Sequence, residues 1–139
     1  MSGFLLDTCA VSEVLKLKPN AGYARWLSTV DPSNTYLSVL TLGEIRKGVE
    51  LLENSRKKAA IEAWLTSRLP AQFAGNVLTF DEHVADRWGR MLAVAARKGN
   101  TFAIDSLIAA TALHYNLSVV TNNEKHFKPA GVATTNPWI

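Results

Sequence analysis

Apolar residues along this chain form short continuous runs, which alternate with longer stretches where they recur every three or four positions. The short runs have the length and composition of buried strands and lie at residues 3–6, 35–40, 76–80 and 117–121, with 132–135 as a further candidate. The longer stretches predict helices over 8–18, 23–30, 41–52, 55–69, 81–99 and 104–115. Parallel strands need long crossover connections. This alternation therefore predicts an α/β three-layer sandwich with a mostly parallel central sheet of about 4–5 strands flanked by helices.

Two local signals set expected helix boundaries. Thr41 and Glu44 have the spacing of a capping box, which would begin a helix just after the second strand. Pro70 is expected to end the helix over 55–69, because proline lacks the backbone N–H that a helix interior requires.

Composition narrows the class of protein. The chain has 139 residues, 47% of them hydrophobic, so residues 1–139 are expected to form a single domain with a substantial core. Cys9 is the only cysteine, which excludes an intrachain disulfide and a four-thiol zinc cluster and favours a reducing compartment. The apolar runs are shorter than the roughly 18 residues that span a bilayer, and no charged leader is evident. We therefore expect a soluble cytoplasmic protein that makes no membrane contact.

Acidic residues stand where open parallel sheets bind ligands, beyond the carboxyl ends of the strands. Asp7 follows the first strand, Glu44 comes soon after the second, and Asp105 lies in the first turn of the last long helix. If that helix begins at the same edge of the sheet, three carboxylates from distant parts of the chain converge. Each acid also has a structural explanation, because Asp7 can be an N-cap, Glu44 a capping-box residue, and Asp105 a complement to the helix dipole.

A cluster of carboxylates needs a cation or a proton between its members. Oxygen ligands favour Mg²⁺, with Mn²⁺ as a substitute, and Mg²⁺ commonly bridges protein carboxylates to phosphate groups. Because such an ion also lowers the pKa of a bound water molecule, hydrolysis of a phosphodiester is the expected reaction. The net charge of +3 is compatible with a nucleic acid partner, and Arg46 and Lys47 are candidates for a basic rim, although a solvated helix face is the better explanation for either residue taken singly.

Several motifs follow one another along the chain: FLLDT, SVLTLGEIRKGVE, AIDSLIAATAL, VVTNNEKHF and the terminal NPW. Together they resemble the PIN-domain family, and most closely its VapC- and FitB-type toxins of type II toxin–antitoxin pairs. The resemblance covers nearly the whole chain and implies a PIN-like sandwich around a parallel sheet. It also implies that the protein is a metal-dependent endoribonuclease that hydrolyses RNA.

The resemblance assigns roles to the acidic residues. Asp7, Glu44 and Asp105 match the family's acids and would be catalytic metal ligands, either directly or through water. Asn123 stands where many relatives have a fourth acid. We group Asn123 with the catalytic residues, but its neutral amide would weaken a second ion site.

Four other residues are candidates for substrate binding. Thr8 and Thr121 match small polar positions that orient carboxylates or water in the family, and helix capping explains both equally well. Arg46 and Lys47 would contact the RNA backbone.

The resemblance also implies partners: an active homodimer, a cognate antitoxin that silences it in a larger hetero-oligomer, and operator DNA bound only through that antitoxin. One alternative is a non-catalytic regulator of the same fold, which binds operator DNA or protein with its antitoxin and uses the acids only as caps. Another is a phosphatase with an aspartyl nucleophile. That enzyme needs a second Asp two residues after the first, and Cys9 occupies this position.

Overall fold

A sheet of five parallel strands forms the centre of the computed structural model, which describes residues 3–99 and 105–139. The strands are β1 (Gly3–Leu6), β2 (Thr35–Ser38), β3 (Val77–Leu78), β4 (Leu117–Val120) and β5 (Thr134–Thr135). Their order across the sheet is β3-β2-β1-β4-β5, and each neighbouring pair is parallel. The predicted parallel sheet is confirmed, and the candidate strand at 132–135 contributes β5.

Helices connect the strands. They are α1 (Thr8–Glu13), α2 (Ala21–Thr29), α3 (Val39–Glu50), α4 (Arg56–Ala63), α5 (Leu69–Gln72), α6 (Glu82–Arg97) and α7 (Asp105–Tyr115). A π-helical turn, Trp64–Arg68, joins α4 to α5, and 3-10 turns lie at Pro32–Asn34, Glu124–His126 and Lys128–Ala130. In the described residues, no helix is sufficiently long and apolar to cross a bilayer.

Apolar side chains cover both faces of the sheet. Because side chains alternate along a strand, Leu5 and Val119 pack on one face while Leu6 and Val120 pack on the other. The first face contacts α6 and α7, and the second contacts the helices between β1 and β3. A sheet buried on both faces explains why its strands read as continuous apolar runs, and it confirms the three-layer sandwich.

The capping box predicted at Thr41 is wrong. Helix α3 begins at Val39, and its N-cap is Ser38, whose hydroxyl accepts a hydrogen bond of 3.1 Å from the backbone N–H of Leu40. Thr41 lies inside the helix and is fully buried. Apolar residues 39 and 40 suit either a strand or a helix, and the serine cap decides for the helix. Glu44 consequently lies in the second turn of α3, where it has no capping role.

Three predicted boundaries also differ from the structure. Pro70 does not end its helix; it lies at the start of α5, after the π-helical turn, where its missing N–H costs no hydrogen bond. Helix α1 ends at Glu13 rather than near residue 18, and β3 keeps only two of the five residues predicted for it. The apolar spacing predicted too long a helix α1, because it counted Leu17 as a packed residue, whereas Leu17 is fully exposed.

Candidate active site

The site lies where the order of the strands reverses. From β1 the chain builds outward through β2 and β3 on one side, and then returns to place β4 and β5 on the other. Ligands in open α/β sheets bind at such a switch point, outside the carboxyl ends of the strands. Asp7 directly follows β1, and Thr121 directly follows β4, so these two residues flank the crevice.

Asp7 is fixed by the first turn of α1. It is the N-cap of that helix, and its Oδ1 accepts a hydrogen bond of 2.9 Å from the backbone N–H of Ala10. Its own backbone N–H donates to the carbonyl of Val120 at 3.2 Å, which ties the end of β1 to the end of β4. The residue is only 6% exposed. The predicted N-cap is therefore confirmed, and it holds the carboxylate at the crevice.

The environment of Asp7 disfavours its charged form. Burial raises the pKa of Asp7, while hydrogen bonds from Cys9, Thr121 and the Ala10 backbone oppose that rise. The negative charge of Asp105 raises the pKa further, so the two carboxylates are near enough to interact. Two of the three predicted acids thus come together as a buried negative charge and its like-charged neighbour.

Glu44 reaches the same region through Thr8. The Thr8 hydroxyl donates to Glu44 Oε1 at 2.6 Å and so links the start of α1 to the second turn of α3. Thr8 follows Asp7 in the chain, which brings the half-buried Glu44 side chain to the first turn of α1. Residues 36 positions apart are joined by this contact.

Asp105 begins α7 and has a partner that the sequence did not indicate. His126 Nδ1, from the 3-10 turn after β4, lies 3.1 Å from Asp105 Oδ2. The two residues are 21 positions apart, and none of the usual histidine motifs marks His126. Only its position a few residues beyond the carboxyl end of β4 could have drawn attention to it.

The segment after β4 closes the other side of the crevice. Thr121 is fully buried, and its hydroxyl accepts a hydrogen bond of 3.0 Å from the backbone N–H of Asn123. Cys9 Sγ lies 2.9 Å from Asp7 Oδ1 and 3.1 Å from Asn122 Oδ1, so its one proton has two acceptors. The amide in contact with this cluster is therefore that of Asn122, whereas the Asn123 side chain is exposed.

Comparison with known proteins decides the family. Residues 4–132 match the family model described as PIN domain. The chain belongs to the PIN-domain family. Toxin FitB of Neisseria gonorrhoeae (strain ATCC 700825 / FA 1090) is 39% identical over 135 residues, which cover 96% of this chain and 97% of that protein. VapC ribonuclease Y4jK of Sinorhizobium fredii (strain NBRC 101917 / NGR234) is 29% identical over 135 residues, or 96% of each chain.

A solved structure gives the same result. The structure of FitAB bound to an IR36 DNA fragment superposes with a TM-score of 0.91 at 37% identity and covers 98% of this chain and 96% of the other. The resemblance drawn from the motifs is thus confirmed for both family and fold.

The predicted basic rim of this PIN domain lies on α3 beyond Glu44. Arg46 Nη1 bonds Glu50 at 3.2 Å and Glu62 at 3.1 Å, which ties α3 to α4. Lys47 is exposed on the same helix. Because Arg46 is engaged by two carboxylates, RNA contact by Arg46 would compete with these ion pairs, and the role of both residues in binding RNA stays a prediction.

The donor chemistry of this PIN domain suits a hard divalent ion. The carboxylates of Asp7 and Asp105 interact at the crevice, Glu44 hydrogen-bonds Thr8 beside them, and a cation would stabilise the charge that burial disfavours on Asp7. Within residues 3–99 and 105–139, no group of three or more Asp, Glu, His or Cys side chains is arranged to hold a metal ion. The convergence of Asp7, Glu44 and Asp105 around one ion therefore stays a prediction.

Proposed function

We propose that this PIN domain is the toxin of a type II toxin–antitoxin pair and acts as a divalent-metal-dependent endoribonuclease. The observation that carries the proposal is the buried Asp7 carboxylate at the switch point, whose pKa is raised by burial and by the charge of Asp105. A site with unbalanced negative charge recruits cations, and cations bring phosphodiesters. Full-length similarity to FitB and to a VapC ribonuclease supports the same activity.

Mg²⁺, with Mn²⁺ as a substitute, would be held by Asp7, Glu44 and Asp105, directly or through water. When bound, such an ion neutralises the carboxylates, binds the scissile phosphate and lowers the pKa of the attacking water. Thr8 holds Glu44 through its hydroxyl, and Asn123 offers an exposed amide to water or substrate near the carboxyl end of β4. A neutral residue at position 123 favours one firmly held ion over two.

The first test replaces each acid by its amide: Asp7→Asn, Glu44→Gln and Asp105→Asn. Loss of one ligand removes several kcal/mol of transition-state stabilisation, so we expect RNA cleavage to fall by about 10³-fold in each variant. Asp86→Asn is the matched control, because Asp86 is exposed on α6 and pairs with Arg90 at 3.1 Å. Circular dichroism would check that each variant is folded.

Two results would contradict the proposal. Full cleavage by a folded variant would remove that acid from the mechanism. Cleavage by the wild type that is unchanged in EDTA would remove the metal.

A groove on the other side of α1 supports the proposed antitoxin partner. It has a volume of about 1230 Å³ and lies between the segment after α1 and the α4 region. Its apolar lining includes Leu15 and Leu17, which are 38% and 102% exposed, and Lys57 and Arg68 add positive charge. Exposed apolar patches of this kind mark protein interfaces. We expect an amphipathic, acidic segment of the antitoxin to bind here, within a larger cytoplasmic assembly of toxin homodimers.

Leu15→Asp combined with Leu17→Asp tests this groove. Both side chains are exposed, so the fold should survive, while the added charge opposes both the apolar contact and the acidic segment. We expect the double variant to lose its antitoxin on a size-exclusion column and to keep its RNA cleavage. Leu51→Asp, at another exposed leucine, is the control. An antitoxin complex that persists unchanged would show that this groove is not the interface.

The second candidate is a non-catalytic regulator, in which the fold binds operator DNA with its antitoxin. The similarity to FitAB, whose solved structure contains DNA, favours DNA binding together with an antitoxin. Calorimetry with Mn²⁺ and cleavage assays on the antitoxin-free protein discriminate between the two. Absence of both ion binding and cleavage would leave the regulator as the better explanation.

A further inference from the structure

His126 contacts the side chain of Asp105. Its Nδ1 lies 3.1 Å from Asp105 Oδ2, and the two side chains are 49% and 33% exposed. This distance suits a hydrogen bond in which Nδ1–H of the imidazole donates and the carboxylate oxygen Oδ2 accepts.

The backbone around His126 is anchored on both sides. The preceding Glu124 accepts a hydrogen bond of 2.7 Å from the hydroxyl of Thr134 on β5, and the following Phe127 is 1% exposed in the core. The backbone N–H of His126 donates to the carbonyl of Asn123 at 3.0 Å. An exposed side chain on so well fixed a turn can define the orientation of its partner.

Each acid of the site has one oxygen engaged by a neighbour. Cys9 and the Ala10 backbone hold Asp7 Oδ1, and Thr8 holds Glu44 Oε1 in the same way. The contact from His126 to Asp105 Oδ2 completes this arrangement. Donors of this kind stop like-charged carboxylates from rotating apart.

We propose that His126 is a positioning residue of the site, which orients the Asp105 carboxylate for a divalent ion by donating Nδ1–H to Oδ2. This inference rests on the proposed function, because the ion is part of that function. It adds an imidazole to a site otherwise built of acids, hydroxyls, amides and a thiol.

The test compares His126→Leu with His126→Asn. Leucine and asparagine have nearly the same shape, but only asparagine carries an N–H donor in the position of Nδ1. His83→Leu is the control, since His83 is exposed on α6 and lines a separate cavity with Arg87 and Met91. Calorimetry would measure Mn²⁺ affinity without RNA, steady-state kinetics would give kcat and KM, and thermal unfolding would confirm the fold.

We expect His126→Leu to weaken Mn²⁺ binding by roughly 10–100-fold and to lower kcat while KM for RNA changes little, because loss of an outer hydrogen bond to a ligand has effects of this size. His126→Asn should recover Mn²⁺ affinity to within a few-fold of wild type, and His83→Leu should match wild type. The recovery by asparagine separates a hydrogen-bonding role from simple packing.

Three outcomes would overturn the inference. The first is wild-type Mn²⁺ affinity and kcat in His126→Leu. The second is an equal loss in His126→Asn and His126→Leu, since the donor would then be irrelevant. In both, an active, Mn²⁺-binding wild type keeps the proposed function intact. The third is a wild type that neither binds Mn²⁺ nor cleaves RNA, which overturns the proposed function together with the inference.

Discussion

Helix α1 has a buried carboxylate at each end, and the two have opposite environments. Asp7 at its start is 6% exposed, and Glu13 at its end is 3% exposed. The pKa of Asp7 is raised, chiefly by burial, whereas the pKa of Glu13 is lowered, chiefly by a hydrogen bond from the backbone N–H of Asn20. The two side chains have similarly little exposed surface, but Asp7 lies deeper in the protein, so the opposite pKa shifts reflect both the depth of burial and the neighbours.

Glu13 is a structural carboxylate. Its oxygens accept from the Asn20 backbone at 2.8 Å, from Trp138 Nε1 at 3.3 Å and from Lys16 Nζ at 3.0 Å. These bonds fasten the C-terminal segment, whose Trp138 ring also packs on Tyr23 at 4.8 Å between ring centroids. Asp7 has hydrogen-bond donors but a second carboxylate nearby instead of a cation. The charge on Glu13 is thus balanced by hydrogen-bond donors and a cation within the chain, whereas burial and the charge of Asp105 disfavour the charge on Asp7.

The largest effect on stability is expected from Glu13→Gln. A neutral amide would present an N–H group to Trp138 Nε1 or Lys16, which are themselves donors, so buried hydrogen bonds to a charged group are lost. We expect the free energy of unfolding in urea to fall by about 1.5–3 kcal/mol, the usual value for such bonds. Glu82→Gln, at a side chain that is 89% exposed, is the control. Equal stability of Glu13→Gln and Glu82→Gln would show that the hydrogen bonds accepted by Glu13 contribute nothing to the free energy of unfolding.

The opposite pKa shifts of Glu13 and Asp7 give their contributions to stability opposite dependences on pH. Because Glu13 has a lowered pKa, it stabilises the fold above its ordinary value of 4.5, and that contribution is lost as pH falls through the lowered pKa. Asp7 acts in the opposite direction. The folded protein keeps the Asp7 proton at pH values where the unfolded chain has released it, so the contribution of Asp7 to stability decreases as pH rises from 3.8 through its raised pKa.

A smaller effect on stability, and in the opposite direction, is expected from Asp7→Asn, which should stabilise the metal-free protein. Asparagine keeps an oxygen for the Ala10 N–H and removes the disfavoured buried charge. In EDTA at pH 7 we therefore expect a higher thermal midpoint than in wild type, although RNA cleavage is lost. Mn²⁺ should raise the midpoint of wild type and not that of the variant. A variant less stable than wild type in EDTA would mean that the charge of Asp7 is already balanced within the fold.

The smallest expected effect is on the reactivity of the Cys9 thiol, which lies beside Asp7. Burial, and then the charge of Asp7, raise the pKa of Cys9 to about 12, so Cys9 remains a protonated donor at neutral pH. We expect iodoacetamide to alkylate metal-free, folded protein very slowly at pH 8 and faster as pH approaches 12, with Asp7→Asn reacting faster than wild type. Mass spectrometry would follow the adduct, and urea-unfolded protein provides the reference rate. Rapid alkylation of the folded wild type at pH 8 would contradict the raised pKa of the Cys9 thiol.

Much of the fold could be predicted from the chain, because the central strands β1, β2 and β4 are largely buried and stand out in the sequence as short, mostly apolar runs. The Asp7 cap, β4 and the long helix α6 lie close to where the pattern predicted them. The start of α3 and the role of Pro70 could not be predicted. Apolar spacing does not distinguish a strand end from a first helical turn, and a π-helical turn ahead of Pro70 leaves no periodic signal.

The candidate site, like the fold, could be predicted only in part from the sequence. The sequence alone determined that Asp7 and Glu44 come after buried strands, and parallel pairing sends those strand ends to one edge. Only the tertiary structure decided which donor holds each acid: Thr8 for Glu44, Cys9 for Asp7 and His126 for Asp105. It also decided that Asp7 is an unbalanced charge and Glu13 a balanced one. The physical reason is that pKa values and hydrogen bonds depend on neighbours within a few ångströms, and most of these neighbours are far apart in the chain.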